Sequence, residues 1–162
     1  MTMGAGGEMS LVERLDQKYD IEVKAKKLYA DARLPEYAHI GDSGADLFSY
    51  GAHIIEPGKQ ALVSTGICIA IPYGYEGQIR PRSGLAKNYM ISVTNTPGTI
   101  DSGYRGEMSI LLINHGEKSY EVKKWDKIAQ IIFVKVEKAK LKVVDTLDET
   151  LRGEGGFGHT GK

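Results

Sequence analysis

Four short clusters combine glycine with charged or hydroxyl side chains, and these segments of the sequence are the ones that could do chemistry. They are residues 43–48 (SGADLF), 81–86 (PRSGLA), 95–107 (NTPGTIDSGYRGE) and 152–162 (RGEGGFGHTGK). Each interrupts or follows an apolar run that is typical of a β-strand. We therefore ask what each cluster could bind or catalyse, and then what must position it.

The second cluster has the composition of an anion site. Arg82 precedes Ser83 and Gly84 at the end of a predicted strand, where a short helix is predicted over 83–88. Free backbone N–H groups at a helix start, a serine cap and a nearby arginine would together hold a phosphate. An ordinary helix cap beside a surface arginine would produce the same pattern.

Two aspartates are candidates for acid–base or metal chemistry. Asp101 lies between Ile100 and a glycine-containing turn, and it could act as a general base. Asp46 is embedded in an apolar strand. Hydrogen bonding within a turn is the commoner fate of an aspartate in such surroundings, so neither residue is decisive alone.

The C-terminal segment is predicted to be a mobile arm. Its last residues (GFGHTGK) imitate a phosphate-binding P-loop, but no strand precedes them and no helix can follow, so we reject that match. Arg152 offers bidentate hydrogen bonds and Phe157 a stacking face, which suits a flap that closes over a ligand. A simple disordered tail is the alternative.

The elements that must position these clusters are mostly short strands. We predict strands over 21–26, 62–71, 78–82, 108–114 and 128–136. The last two are almost continuously apolar, so we expect them to be buried on both faces. Trp125 is predicted to begin a strand. Turn signals such as Pro97-Gly98 separate the runs. The pattern predicts an all-β, barrel-like or jelly-roll domain with one short helix. A second, capped helix is predicted before this domain, near residues 10–18.

Composition excludes several classes of function. The 162 residues carry 21 basic and 21 acidic side chains, so no general positive field would hold nucleic acid. One cysteine, Cys68, excludes an internal disulfide, and the four histidines lack metal-site spacing. No signal peptide or membrane span is predicted, which favours a cytoplasmic protein. We expect an N-terminal extension over 1–18, a barrel domain over 19–147 and a flexible arm over 148–162.

Taken together and in order, the four clusters and a fifth segment over 126–131 resemble the five motifs of the homotrimeric dUTPase family. The matching segments are residues 43–49 (SGADLFS), 81–86 (PRSGLA), 98–107 (GTIDSGYRGE), 126–131 (DKIAQI) and 152–161 (RGEGGFGHTG). The resemblance covers about residues 19–161. Single motifs of this kind are weak, whereas five in the same order on an all-β chain are specific.

The resemblance implies a jelly-roll subunit that forms a homotrimer with active sites shared between chains. It implies Mg²⁺-dependent hydrolysis of dUTP to dUMP and pyrophosphate, which limits uracil incorporation into DNA and supplies dUMP for dTTP synthesis. Asp101 would activate the water that attacks the α-phosphorus in line. Asp46 would act on Mg²⁺ indirectly, through water.

The resemblance also implies the substrate contacts. Tyr104 would pack under the deoxyribose. Asn95 would present polar groups to uracil together with the turn of Gly98, Thr99 and Ile100. The phosphates would be held by Arg82, Ser83, Gly84 and Gln130, and by an arm comprising Arg152, Phe157, Gly158, His159 and Thr160, in which Phe157 stacks on uracil.

Three positions depart from the family pattern. Gly103 stands where a second acidic residue is common, Trp125 where a glycine usually precedes the fourth-motif aspartate, and His159 where a serine is usual. We expect the turn at Trp125 to be affected, and His159 to add pH dependence to one phosphate contact.

Two alternatives remain at this point. A dCTP deaminase would share the fold and the Ile-Asp-x-Gly turn, but it places a catalytic glutamate ten residues after the aspartate, where this chain has Leu111. A regulatory dUTPase-like protein could bind another protein through residues 1–18, either instead of catalysis or in addition to it.

Overall fold

The structure is a computed structural model that describes residues 19–156. The predicted N-terminal helix and the predicted contacts of Phe157, Gly158, His159 and Thr160 lie outside the described residues. Within 19–156 the chain forms eleven strands and one helix. The all-β prediction is therefore confirmed.

The strands follow one another closely along the chain. They are β1 (Lys24–Lys27), β2 (Ala45–Phe48), β3 (His53–Ile55), β4 (Gln60–Ser64), β5 (Ile67–Ala70), β6 (Tyr75–Arg80), β7 (Ile91–Val93), β8 (Gly98–Ile100), β9 (Ser109–Asn114), β10 (Tyr120–Val122) and β11 (Lys127–Lys135), and the helix α1 is Ser83–Tyr89, between β6 and β7. No helix in this part of the chain is long and apolar enough to cross a membrane.

The strands pair antiparallel in four small sheets. The largest has the order β2-β11-β6-β8, and a second has the order β4-β9-β7. Two pairs, β1-β5 and β3-β10, complete the set. Most of these pairings join strands far apart in sequence, as in jelly rolls and barrels.

Branched aliphatic side chains fill the space between the sheets. Ile67, Ile69 and Ile71 are buried on one face, as their alternation predicts. Ile110 and Leu112 of β9 and Ile131 of β11 are also almost fully buried. This core fixes the register of the strands that carry the candidate site residues, because a slip by one residue would turn the apolar face outward.

Some local predictions are wrong in informative ways. The predicted strand over 62–71 is two strands, β4 and β5, because Gly66 turns the chain with a φ of +74°. Residues of β9 alternate between buried and half-buried, so the strand is not buried on both faces in the single chain. β11 likewise has one half-buried side.

The first predicted strand begins later and is more exposed than expected. β1 starts at Lys24, and all four of its residues are exposed. Among the strands of residues 19–156 it pairs with β5 alone, in a two-stranded sheet. Ile21 and Val23, which the alternation places on an inner face, are half-buried and precede the strand.

Trp125 lies in the turn between β10 and β11 and does not begin a strand. Its φ is +71°, in the left-handed region that favours glycine. Its indole Nε1 donates to the carbonyl of Asp31 at 3.3 Å, and the cations of Arg33 and Lys124 lie 5.4 and 4.9 Å from its ring centre. The side chain thus ties this turn to the segment that precedes β2.

Asp31 reinforces the same connection. Its carboxylate accepts hydrogen bonds from Lys124 Nζ at 2.7 Å and from the Tyr50 hydroxyl at 2.9 Å. The hydrogen bond from Lys124, and after it that from Tyr50, lowers the pKa of Asp31 below its usual value. Tyr50 in turn stacks on Tyr29 with ring centres 4.2 Å apart.

Candidate functional site

Three of the five motifs meet at one end of the largest sheet. β2 carries Asp46, β11 carries Gln130, and the end of β6 leads into Arg82. Asp46 lies opposite Gln130, and Gln130 lies opposite Arg80. The strand register therefore brings the first, second and fourth motifs together.

A cavity of about 320 Å³ lies at this meeting point. Its lining includes five residues predicted from the sequence, namely Asp46, Arg82, Ser83, Gly84 and Gln130. Ala38, Asp42, Ser43, Gly44 and Ile132 complete the lining. A cavity with an arginine, a hydroxyl and an amide on its wall suits an anionic ligand.

Asp46 is the electrostatic centre of this cavity. Asp46 is only 9% exposed, and each of its carboxylate oxygens is paired with a cation. Oδ1 accepts from Arg82 Nε at 2.9 Å, and Oδ2 pairs with Lys127 Nζ at 2.7 Å. A carboxylate buried to this extent is tolerated because cations compensate its charge.

The predicted serine cap is wrong, although the helix is present. Arg82 occupies the N-cap position with extended backbone and no side-chain cap hydrogen bond, and Ser83 is the first helical residue. The Arg82 guanidinium has no acceptor atom for the helix N–H groups, and it donates instead to Asp46 and to the carbonyl of Lys127, at 3.2 Å from Nη1. Ser83 and Gly84 are left facing the cavity.

Gln130 is held by a close fit with the first cluster. Its Nε2 donates to the carbonyl of Pro81 at 2.9 Å. A Cβ added at Gly44 would overlap Oε1 of Gln130 and lie 2.9 Å from its Cδ. Because Gly44 has no side chain, the Gln130 amide can occupy the space beside it.

The third cluster forms a separate loop after β8. Asp101 is exposed, and its carbonyl accepts from the backbone N–H of Tyr104 at 3.0 Å, which closes a turn. The Tyr104 hydroxyl donates to the carbonyl of Glu107 at 2.9 Å, while the residue stays 44% exposed. Its phenol lies so close to Gly106 that a Cβ there would be 2.7 Å from Cζ.

The start of β8 places Asn95 against Gly98. A Cβ at Gly98 would lie 3.2 Å from the Asn95 side-chain nitrogen, so the two residues are in contact across the turn. Thr99 and Ile100 continue the strand and pair with Gln78 and Gly77 of β6. The four predicted residues of this turn are therefore brought together.

Glu107 anchors the other end of the loop. Its carboxylate accepts from the backbone N–H of Gly66 at 2.8 Å, and Met108 N–H donates to the carbonyl of Ile67 at 2.9 Å. These bonds join the loop to the connection between β4 and β5. The Asp101 loop is thus fixed at both ends.

Within one chain this loop is distant from the Asp46 cavity. Arg80 of β6 lies in register with Gln130 and, through it, with Asp46. Ile100 of β8 lies opposite Gly77, which is three residues before Arg80 in β6. Asp101 is therefore displaced from that row by about 13 Å along the strands, and three strand spacings add about 14 Å across the sheet. One chain alone does not bring Asp46 and Asp101 together.

Arg152 makes a hydrogen bond within its own segment. Its Nε donates to the carbonyl of Gly155 at 2.9 Å, within a local turn of the C-terminal segment. The described residues contain no group of three or more His, Cys, Asp or Glu side chains arranged to hold a metal ion.

Lys127 is a site residue that the sequence analysis missed. It stands inside the fourth motif, beside the aspartate at its start, but its partner in β2 is apparent only from the strand pairing. Asp42 was also missed, and Ser43 was given no contact although it begins the first cluster; both residues line the cavity directly before Gly44. The signal available for Lys127 was a cation inside the motif that also carries Gln130, a predicted phosphate contact.

The sequence model of the dUTPase family matches residues 30–161. The chain belongs to the dUTPase family. The deoxyuridine 5'-triphosphate nucleotidohydrolase of Clostridium tetani is 56% identical over 140 residues, which are 86% of this chain and 97% of that protein. The enzyme of the same name from Alkaliphilus metalliredigens is 55% identical over 139 residues, which are 86% of this chain and 96% of that protein.

Solved dUTPase structures share the fold. A Staphylococcus bacteriophage 80alpha dUTPase mutant with dUpNHpp has a TM-score of 0.81 and 29% identity, covering 87% of this chain and 99% of that one. A dUTPase mutant from phage phi11 of S. aureus, described with a structural Mg(II) ion, has a TM-score of 0.72 and 27% identity, covering 78% of this chain and 98% of that one. These likenesses agree with the jelly-roll prediction.

Proposed function

We propose that this dUTPase-family chain hydrolyses dUTP to dUMP and pyrophosphate, with Asp101 activating the water that attacks the α-phosphorus in line. The observation that carries the proposal is the family match over residues 30–161, which includes all five motifs. The arrangement of the site supports it, because each motif of the described residues supplies side chains suited to one part of a deoxynucleoside triphosphate.

The cavity beside Asp46 suits the phosphates. Arg82 supplies positive charge, Ser83 a hydroxyl, Gln130 an amide, and Gly84 a backbone that has no side chain in the way. Phosphoryl transfer depends mainly on positioning and on neutralising charge in the transition state. Fixed donors on a rigid sheet serve both needs, because they require little reorganisation during the reaction.

Asp101 suits the role of general base. Its carboxylate is exposed at the end of β8 and belongs to a turn that is closed by the Tyr104 N–H. A carboxylate within hydrogen-bond reach of a water can accept its proton as the oxygen attacks phosphorus. The proton leaves the water, and the bond from the α-phosphorus to the leaving pyrophosphate oxygen breaks.

The donor set fits an indirect role for Asp46 toward Mg²⁺. Both oxygens of Asp46 are already paired with cations, and each keeps a second lone pair that a metal-bound water could donate to. When bound to the triphosphate, Mg²⁺ would neutralise phosphate charge. Asp46 would orient that complex, while the described residues provide no separate metal cage.

The turn before Asp101 suits the base and the sugar. Asn95 and the backbone of Gly98, Thr99 and Ile100 would present hydrogen-bonding groups to the edge of uracil. Tyr104 offers a ring that is half exposed and fixed by its bond to Glu107. A ring packed beneath a deoxyribose leaves no space for a 2′-hydroxyl, which would select dUTP over UTP.

Sharing of the active sites within a homotrimer would overcome the separation of Asp46 and Asp101. A second chain could place its Asp101 loop beside the first chain's phosphate cavity. The segment after β11 also favours assembly, because its apolar side chains are exposed in the single chain. Leu141 is 92% exposed, Val143 97% and Leu147 85%. Such side chains are typical of a segment that packs against another subunit.

The C-terminal arm would complete the site from a third chain. Arg152, His159 and Thr160 would contact the terminal phosphates, and Phe157 would stack on uracil with Gly158 allowing close approach. Closing such an arm carries an entropic cost of about 1–2 kcal/mol per ordered residue, so a full substrate is needed to close it. The exclusion of water and the tightened specificity would follow from closure.

The activity would place the protein in cytoplasmic nucleotide metabolism. Removal of dUTP limits uracil incorporation into DNA, and the dUMP produced supplies dTTP synthesis. A further protein partner for residues 1–18 is a separate hypothesis. A deaminase is disfavoured, because Leu111 lies in β9 where that reaction requires a glutamate, and a leucine cannot move a proton.

The test is pyrophosphate release with Mg²⁺ from dUTP, dCTP, dTTP and UTP, with ammonia release measured in parallel. Release of pyrophosphate from dUTP alone would support the proposal. Ammonia release from dCTP would instead support the deaminase. No turnover of any of the four nucleotides by the folded protein would leave a binding role.

A further inference from the structure

We propose that Lys127 is a positioning residue of the phosphate site: it binds the second oxygen of Asp46 and so keeps the Arg82 guanidinium available for phosphate. The inference deepens the proposed function and rests on it. Three observations carry it, namely an irregularity in β11, a closed ring of hydrogen bonds, and the balance of charge around Asp46.

The irregularity is a bulge that turns Lys127 toward Asp46. Gln130 pairs with Asp46 and Ala129 with Leu47, but the next pair is Lys127 with Phe48. The extra residue, Ile128, is buried together with Ala129. In a regular strand, residues three apart such as Lys127 and Gln130 would lie on opposite faces.

The bulge therefore places two functional side chains on the face of one carboxylate. Asp46 and Phe48 share a face of β2, because they are two residues apart. Their partners Gln130 and Lys127 consequently lie on that same face. Bulges that redirect a side chain in this way are common beside active sites.

The ring of hydrogen bonds closes through both the side chain and the backbone of Lys127. Arg82 Nε binds Oδ1 of Asp46 at 2.9 Å, and Arg82 Nη1 binds the carbonyl of Lys127 at 3.2 Å. Lys127 Nζ returns to Oδ2 of Asp46 at 2.7 Å. Each of the three residues is thus fixed by the other two.

The turn that precedes Lys127 is attached to the residue that follows β2. Trp125 N–H donates to the carbonyl of Ser49 at 2.7 Å, and Ser49 N–H donates to the carbonyl of Asp126 at 2.9 Å. Asp126 Oδ2 accepts from the Lys123 N–H at 2.8 Å. These bonds therefore fix the position of the start of β11 relative to Asp46, independently of the Lys127 side chain.

The charge balance explains what the arrangement achieves. One carboxylate faces two cations, so the cluster of Asp46, Arg82 and Lys127 carries an excess of one positive charge. Of the five N–H groups of a guanidinium, two are engaged among the described residues, which leaves three for a ligand. Without Lys127, the charge of Asp46 would fall on Arg82 alone and the excess would vanish.

Asp46 and Arg82 line the cavity, and Lys127 contacts both of them. Its effect on a phosphate is therefore exerted through those two residues. Removal of Lys127 would therefore weaken anion binding more than it slows the chemical step.

The experiment compares Lys127→Met with Lys127→Arg and with the control Lys123→Met. Lys123 is a neighbouring lysine whose side chain is 70% exposed and whose Nζ lies 4.0 Å from Glu121 Oε2. Binding of dUpNHpp is measured by calorimetry, KM and kcat by pyrophosphate release, and folding by thermal melting.

We expect Lys127→Met to raise both Kd for dUpNHpp and KM by about tenfold, with kcat within about twofold of the unmodified protein. Lys127→Arg should restore both constants, and Lys123→Met should leave them unchanged. Unchanged binding in folded Lys127→Met would overturn the proposal, as would binding by Lys127→Arg that is no better than by Lys127→Met.

If Lys127→Met does not fold, Lys127→Gln provides the same comparison, since glutamine keeps a polar side chain without the charge. Tight binding by Lys127→Gln would overturn the proposal, and weakened binding would support it. Failure of the proposed function itself is separate, because the unmodified protein would then neither turn over dUTP nor bind dUpNHpp.

Discussion

Gly44 and Gln130 fit together across the β2–β11 pair, with the amide of Gln130 occupying the space that a side chain at position 44 would need. The amide is bound there by the carbonyl of Pro81 at 2.9 Å. The fit gives a physical reason for the glycine in the first motif and for its relation to the glutamine in the fourth.

Gly44→Ala is expected to displace the Gln130 side chain and to lower kcat/KM for dUTP by about tenfold or more, because a misplaced positioning group costs much of the benefit of orientation. Steady-state kinetics measure the effect. Gly51→Ala is the matched control, since a Cβ there meets His53 Nε2 at an ordinary 3.4 Å. Equal activity of the two variants would show that Gln130 does not need its observed position.

Tyr104→Ala is expected to reduce the preference for dUTP over UTP, because removing the ring opens space for a 2′-hydroxyl. We expect the ratio of kcat/KM values to fall by about tenfold or more. Tyr104→Phe loses the hydrogen bond to Glu107 but keeps the ring, so it should retain most of the discrimination. An unchanged ratio in Tyr104→Ala would exclude this residue as the sugar filter.

Trp125→Gly is expected to be more stable than Trp125→Ala, by about 1 kcal/mol, because only glycine adopts a φ near +71° without steric cost. Both variants lose the contacts of the indole with Arg33, Lys124 and Asp31, so the comparison isolates the backbone contribution. Denaturant unfolding at one protein concentration measures the difference. Greater stability of the alanine variant would show that the turn changes its conformation when the indole is lost.

Sharing of active sites predicts complementation between two inactive variants. Arg82→Met damages the phosphate cavity, and Asp101→Asn removes the base from the distant loop. Chains mixed at equal ratio and reassembled should regain about a quarter of the activity, since a site that draws these residues from two chains has that chance of receiving both intact. Absence of any recovery in verified mixed oligomers would indicate that each site uses one chain alone.

The sequence was sufficient for the class of fold and for much of the site. The alternation of Ile67, Ile69 and Ile71 predicted a buried strand face, and the resemblance to the five dUTPase motifs indicated Asp46, Arg82 and Gln130. Those features are local in sequence or are carried by short motifs. The structure places them around one cavity.

Other features depend on pairing between distant strands and could not be read from the sequence. The role of Lys127 follows from a bulge opposite Phe48, and the chain sequence carries no separate signal for that extra residue. The exposure of β1 depends on the strand having one partner, β5. Arg82, rather than Ser83, stands at the cap position, and its side chain pairs with a carboxylate 36 residues earlier in the chain.

The measurement that tests the central claim most directly is pyrophosphate release from dUTP by the unmodified protein and by Asp101→Asn, with dUpNHpp binding measured for both. We predict turnover by the unmodified protein, a loss of at least about a hundredfold in kcat for the variant, and similar affinities for dUpNHpp. Full turnover by Asp101→Asn, or no turnover of dUTP by the unmodified protein while it binds dUpNHpp, would contradict the account.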